Sequence, residues 1–320
     1  MEFHLRSISQ MTTFRTLCFP LLLCLTSHAR AEAASTSIKV FVDHSLEPVS
    51  GPKITVPYDT TALQFSVEPH SLCAQYKLGG LETEWRQPTD EMLFIIRFLN
   101  TKGDQVSQRT FSAKGKSEGW HGAISQSRFT PRREIVTVPA DAAKFSVVMS
   151  SAGPAAVVGI FAVSGVTITS DDNHGKPPGI YLKDSRIPGS TAPLWSKSGT
   201  HPSMASAIHL EENNVESPML IITDDDISAH ADWVTDINAL PAVVPGQSLE
   251  VEWNETYCTG LGGPFSNVYE RLPPGKYRFM VQGLDIGGES VDAMSVVSVE
   301  VPLPYWKNFT AIPQHGSDAS

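Results

Sequence analysis

Cysteine is scarce in this chain. Its 320 residues hold four, and two of them, Cys18 and Cys24, fall within the first 31 residues. The other two, Cys73 and Cys258, are too few for a disulfide framework and lack metal-ligand spacing. In an oxidising compartment they could bridge two domains; otherwise they stand as unpaired thiols. Basic charge is also short, with 24 Lys and Arg against 34 Asp and Glu and a formal net charge of −10. That balance gives no electrostatic reason to bind nucleic acid or anionic lipid. Past the N-terminus no apolar run reaches membrane-spanning length. A Gly-x-Ser-x-Gly elbow is missing, so a nucleophilic triad has no signature here. The expectation is a non-enzymatic protein without a cofactor; because paired carboxylates for glycoside hydrolysis leave no sequence signature, a secreted carbohydrate-active enzyme is the alternative, beside a structural glycan-binding surface protein.

What is present begins with residues 1–31. Arg6 and Arg15 precede an apolar stretch from Leu17 to Leu25, and Ala29-Arg30-Ala31 follows as a small-x-small cleavage pattern. This reads as a secretory signal peptide, which places the mature protein in the periplasm or outside the cell. Apolar content of 41% with 18% charged residues then suits a folded protein.

Short period-two segments recur from Ile38 onward. Leu63, Phe65 and Val67 alternate with polar neighbours, and Met92 to Leu99 is nearly all apolar apart from Arg97. Glu134–Val138, Phe145–Met149 and Val157–Ile168 follow. The spacing predicts an all-β protein of two antiparallel sandwiches, a first over 36–170 and a second over 218–308. Between them, 171–217 reads as a Pro-, Gly- and Ser-rich linker with Trp195 as a docking residue, and 309–320 as a polar tail. One helix is expected within Asp226–Leu240, where Ile227, Ala231, Val234 and Ile237 recur at three- and four-residue intervals.

Trp120, in a glycine-flanked turn, reads first as a packing residue and is also the leading ligand-contact candidate, with His121 and Arg97 as polar neighbours and a sheet-face position as the other reading of Arg97. Trp85 and Trp253 read as core or interface residues. Asp224-Asp225-Asp226 with His230 and Asp232 is the densest group of potential metal ligands. It lacks the glycine and terminal glutamate of a calcium loop and reads as a solvated strand exit or an acidic helix start.

Tyr269-Glu270-Arg271-Leu272-Pro273-Pro274-Gly275-Lys276-Tyr277 runs straight into a strand pattern. Gly275 is expected to take the positive φ of a type II-like turn, and the tyrosines to be structural, as in a tyrosine corner. Together with Tyr76-Lys77-Leu78-Gly79-Gly80-Leu81 and Trp85, this string resembles the three-tyrosine (triple-Y) domain of two-component regulators. Tyr76, Tyr269 and Tyr277 would be its three tyrosines. The resemblance implies an immunoglobulin-like sandwich in an extracytoplasmic sensing protein, with a membrane sensor kinase as partner. The wide separation of Trp85 from Tyr269 departs from the family and implies either an inserted domain or a partial copy in each of two modules; two modules are expected. Residues 90–170 resemble, more loosely, a carbohydrate-binding-type jelly roll, which makes a glycan, or another small extracytoplasmic molecule, the expected ligand.

Overall fold

A computed structural model describes residues 36–304, except 46–47, 50, 52, 154–155, 171–179, 184–193 and 213–214. The signal-peptide reading of 1–31 and the tail at 309–320 lie outside the described residues. Eighteen strands form among those described. The first four are β1 (Ser37–Val42), β2 (Lys53–Thr55), β3 (Ala62–Glu68) and β4 (Cys73–Gly79). Next come β5 (Glu91–Leu99), β6 (Gln105–Lys114), β7 (Thr130–Thr137), β8 (Lys144–Ser150), β9 (Val157–Ser170) and β10 (Ile180–Lys183). They are followed by β11 (Trp195–Gly199), β12 (Ala205–Glu212), β13 (Val215–Asp224), β14 (Ala231–Thr235) and β15 (Ser248–Leu261). The last are β16 (Phe265–Glu270), β17 (Gly275–Leu284) and β18 (Ser295–Val301). The all-β expectation holds.

The expected modules are not consecutive in sequence. β1, β3 and β16 make one sheet, and β2, β18, β17 and β4 make a second. Left to the first 170 residues alone, β3 and β4 would keep open edges; β16 and β17 fill them, with Leu63 opposite Tyr269 and Tyr76 opposite Val281. β2 runs parallel to β18 while the other pairs are antiparallel. This is an immunoglobulin-type arrangement in which an inserted body replaces the connection between the fourth and fifth of its seven strands. The boundaries at 36–170 and 218–308 are thus corrected: 37–79 and 265–301 form one outer sandwich, and β5–β15 form the insert.

The insert is a second sandwich. One sheet runs β12-β13-β9-β15-β7, with β10 also on β9, and faces β11-β14-β8-β5-β6. Pairing is nested, β7 with β15, β8 with β14 and β9 with β13, the rolled-up order of a jelly roll. The 171–217 segment is therefore not simply a linker. β11 and β12 are sheet strands, and Trp195, 2% exposed, docks into the insert's core. The expected helix is absent as well. Ala231, Trp233 and Thr235 are buried in alternation, so a period of two overrides the three- and four-residue spacing, and the segment becomes β14.

Each sandwich has its own core. In the insert Trp253 stacks on Phe94 at 4.4 Å, with Phe111 5.3 Å away and the Arg132 guanidinium over its ring. A bulge offsets β9 from β15 beside Trp253, and Gly165, at φ 64°, supplies its left-handed residue. In the outer sandwich Phe65 stacks on Phe279 at 4.1 Å, with Tyr269 edge-on to Phe65. The insert's two ends meet where Leu261 N donates to Pro88 O at 3.0 Å. With its core and its ends both internal, a fragment spanning 88–262 should fold alone. A single cooperative urea transition followed by tryptophan fluorescence checks this; a non-cooperative slope would contradict it.

Glu255 is buried on β15. Trp253 Nε1 donates to its Oε2 at 2.7 Å and Arg132 stands 3.8 Å off, yet burial pushes its carboxyl above the ordinary value. Burial likewise raises Asp224. Below the unfolded carboxyl value, 4.5 for a glutamate, both states are protonated and neither group affects stability. Above it the unfolded chain releases the proton first, so stability falls as pH rises through the folded value. Glu255→Gln keeps an acceptor for Trp253 and should flatten the decline of the urea midpoint above pH 4.5.

Candidate functional site

Between β6 and β7 a glycine-rich loop leaves the insert and meets the β17–β18 hairpin of the outer sandwich. The loop is pinned at its base by Ser117, whose N donates to Tyr257 O at 2.9 Å and whose hydroxyl lies 3.1 Å from that of Thr256. Gly119 lets the loop fold back on itself, because a Cβ there would sit 2.2 Å from Arg128 O. Trp120 then enters the junction. Its ring is 8% exposed and Nε1 donates to Gly287 O at 3.0 Å. Lys116 Nζ donates to Gly288 O at 3.2 Å. The hairpin needs glycine here too, since a Cβ on Gly287 would lie 2.8 Å from Gly122 O.

Beside this interlock lies an open groove of about 1080 Å³. Ile124 and Phe129 of the loop, Ile160 of β9, Ile208 of β12 and Met219 of β13 wall it on the insert side, and Ile286 on the outer side. Ser125, Ser127, Ser164 and Asn254 add hydrogen-bonding groups, and Asp285 is the one ionisable residue among its described lining. It is mostly apolar with a few polar points, the usual make-up of a small-molecule site. A smaller hollow of about 380 Å³ adjoins it, lined by Glu118, His121, Arg128 and Phe129 among others.

The expected ligand contacts are not brought together. Trp120 is a packing and hydrogen-bonding residue of the junction, with no open face for stacking; its glycine-flanked turn is folded in against the hairpin. His121 is exposed and lines the smaller hollow. Arg97 sits on β5 opposite Gln108 and Ser146, lines neither hollow, and its buried Nε has no partner among the described atoms. The acidic group also disperses. Asp224 is fully buried, Asp226 accepts from Ser228 N and Oγ, Asp232 accepts from Ser150 and Ser198, and His230 lies against Thr200. Among the described residues no three potential ligands group into a metal centre.

The three tyrosines do converge. Tyr76, Tyr269 and Tyr277 all belong to or pack on the outer core around Phe279. Tyr277 OH donates to Pro273 O at 2.7 Å, a tyrosine corner at the start of β17, and burial raises its pKa. Tyr269 OH donates to Glu82 Oε2 at 3.1 Å, and burial, then the Glu82 charge, pushes its pKa far up. Glu82 also accepts from Leu78 N and pairs with Arg86. Two expectations change here. Gly275 is not in the left-handed region; that role falls to Arg271 at φ 48°. A Cβ on Gly275 would lie 3.3 Å from the Tyr277 hydroxyl and 3.4–3.5 Å from its ring, close to ordinary contact. Pro273 and Pro274 are exposed at the turn, and Trp85, at 37% exposure, is not a core residue.

The groove residues carried no sequence signal of their own. Ile160, Ile208 and Met219 look like ordinary strand residues, and Ile286 is separated from them by β13 to β17. The available hints were the paired glycines Gly287-Gly288 and the glycines around Trp120, which mark two close backbone approaches.

No family model and no curated protein matches the chain. Among solved structures, a collagen-binding domain from a Staphylococcus aureus adhesin is 9% identical and covers 54% of this chain and 99% of its own, with a TM-score of 0.13. A longer collagen adhesin structure from the same species is 9% identical over 84% of this chain and 92% of its own, at 0.14. The C-terminal domain of a Streptococcus agalactiae antigen I/II polypeptide is 9% identical over 83% and 99%, at 0.12. Likenesses at these scores carry no argument about this chain.

Tyr277→Phe removes a buried donor while keeping the ring, so it should cost about 0.5–1.5 kcal/mol of the outer sandwich's stability. Urea unfolding of the full chain reads this as a lower midpoint at unchanged slope.

Proposed function

We propose that this chain is an exported, non-enzymatic ligand-binding protein that holds a small amphipathic molecule in the junction groove. The observation that carries this reading is a groove of about 1080 Å³ whose aliphatic and aromatic walls come from both sandwiches. Five apolar residues of the insert and Ile286 of the outer sandwich favour a compact apolar body. Asp285 favours a cationic or hydrogen-bond-donating end, and the serines and Asn254 can orient it. A polyhydroxylated glycan suits these walls less, and the indole expected to stack on it is enclosed.

The outer sandwich, with its tyrosine corner and shared tyrosine core, is on this reading the sensor-type domain. A membrane sensor kinase would be its signalling partner, responding to the state of the junction.

Isothermal titration with phenethylamine, tryptamine and octylamine, beside soluble cello- and malto-oligosaccharides, tests the ligand class. Saturable binding of at least one amine is expected. Ile286→Gln should weaken it about tenfold or more, since burying an isoleucine side chain contributes roughly 1.5–3 kcal/mol. Binding of oligosaccharides alone, or of no probe, overturns the proposal.

A further inference from the structure

The two mature-region cysteines come from different bodies. Cys73 opens β4 of the outer sandwich, opposite Leu284, and Cys258 lies within β15 of the insert, opposite Ile160. Both are buried, at 3% and 2% exposure, and both are free thiols. Each sulfur points into the other body. A methyl group on Gly260 would lie 3.2 Å from Cys73 Sγ, and Gly260 is on the same face of β15 as Cys258, two residues away. A methyl group on Gly288, in the outer hairpin, would lie 3.1 Å from Cys258 Sγ. Cys73 Sγ also reaches Asp285 O at 3.7 Å, and Gln87 Nε2 approaches it at 3.9 Å.

We propose that Cys73 and Cys258 are the two halves of a disulfide that staples the inserted sandwich to the outer one. Both sulfurs lie at the junction of the two bodies, and no other described cysteine competes for either partner. The thiols' electrostatics agree with their closeness: burial, then the neighbouring Cys258, pushes Cys73 up to about 11, and burial does the same to Cys258. At neutral pH both are protonated, so they exchange slowly while the junction is closed. The cross-link therefore forms during folding or when the junction opens. The step is balanced: the two thiols lose two electrons and two protons, and a disulfide oxidant such as oxidised glutathione takes them up and leaves as two thiols. Once formed, the bond fixes the hairpin that carries Asp285 and Ile286, and so fixes one wall of the groove.

The test uses the full chain with Cys18→Ser and Cys24→Ser, refolded from urea with either dithiothreitol or oxidised glutathione. The expected oxidised product is a monomer lighter by two hydrogens, with one cross-linked peptide pair containing Cys73 and Cys258. Its thermal midpoint should exceed that of the reduced sample, and dithiothreitol should reverse the shift. Cys73→Ser and Cys258→Ser should each abolish the oxidised-minus-reduced difference, whatever their own stability. Glutathione adducts, disulfide-linked dimers or unmodified thiols as the only products would overturn the proposal.

Discussion

A chain that leaves a seven-stranded sandwich and returns to complete it must pass out and back through one narrow neck. Here the neck is closed by backbone pairing. Tyr76 and Arg86 exchange hydrogen bonds on the way out, at 2.7 and 2.8 Å, and Leu261 N meets Pro88 O on the way back. Thr259 adds a hydroxyl bond to Asp90 O at 2.9 Å. Because exit and return are held side by side, β4 and β16 can occupy their places as though the insert were a short loop. Loop-closure entropy grows only slowly with length, so a long insertion is tolerable once its own core keeps it compact. The two separate cores, the groove and the meeting of the two cysteines at the junction all follow from that closure.

Local pattern made the strands legible. Leu63, Phe65 and Val67 on β3, and Tyr277, Phe279 and Val281 on β17, are buried in alternation as their sequence indicates. Trp233 shows where such reading fails. Its neighbours fit a helical spacing almost as well as a strand spacing, and only the ladder with β8 and β11 decides between them. The domain boundaries failed for a related reason. Period and turn signals are local, whereas the membership of β3 and β4 is decided by partners that arrive after the whole insert has been made.

The tyrosines show both sides of this. The Tyr277 hydroxyl was legible, since a tyrosine four residues after a proline can reach back to its carbonyl, whereas Tyr269, expected to do likewise, bonds the Glu82 carboxylate. Their convergence was not, because Tyr76 joins the other two only through the β4–β17 ladder. Trp120 inverts the case. A tryptophan between glycines looks exposed when the turn is taken alone, but those glycines are what let two backbones close over its ring. Glycine there marks a close backbone approach, and sequence alone does not say which segment makes it.

The junction is also where a ligand can have the most effect. Each sandwich buries its own apolar core, so neither depends on the other for most of its stability. What joins them beyond the neck includes two side-chain bonds, Trp120 to Gly287 and Lys116 to Gly288, and the packing around Cys73, Val158 and Leu284. A typical hydrogen bond contributes only about 0.5–1.5 kcal/mol net, so while Cys73 and Cys258 are unlinked the energy holding the two bodies in one arrangement is small beside that holding either together. A molecule that touches Ile286 on one side and Met219 on the other interacts with both walls only while they are closed. It therefore shifts the arrangement by the full difference in its affinity for the two states. The same molecule bound on a strand within either core would have nothing comparable to shift.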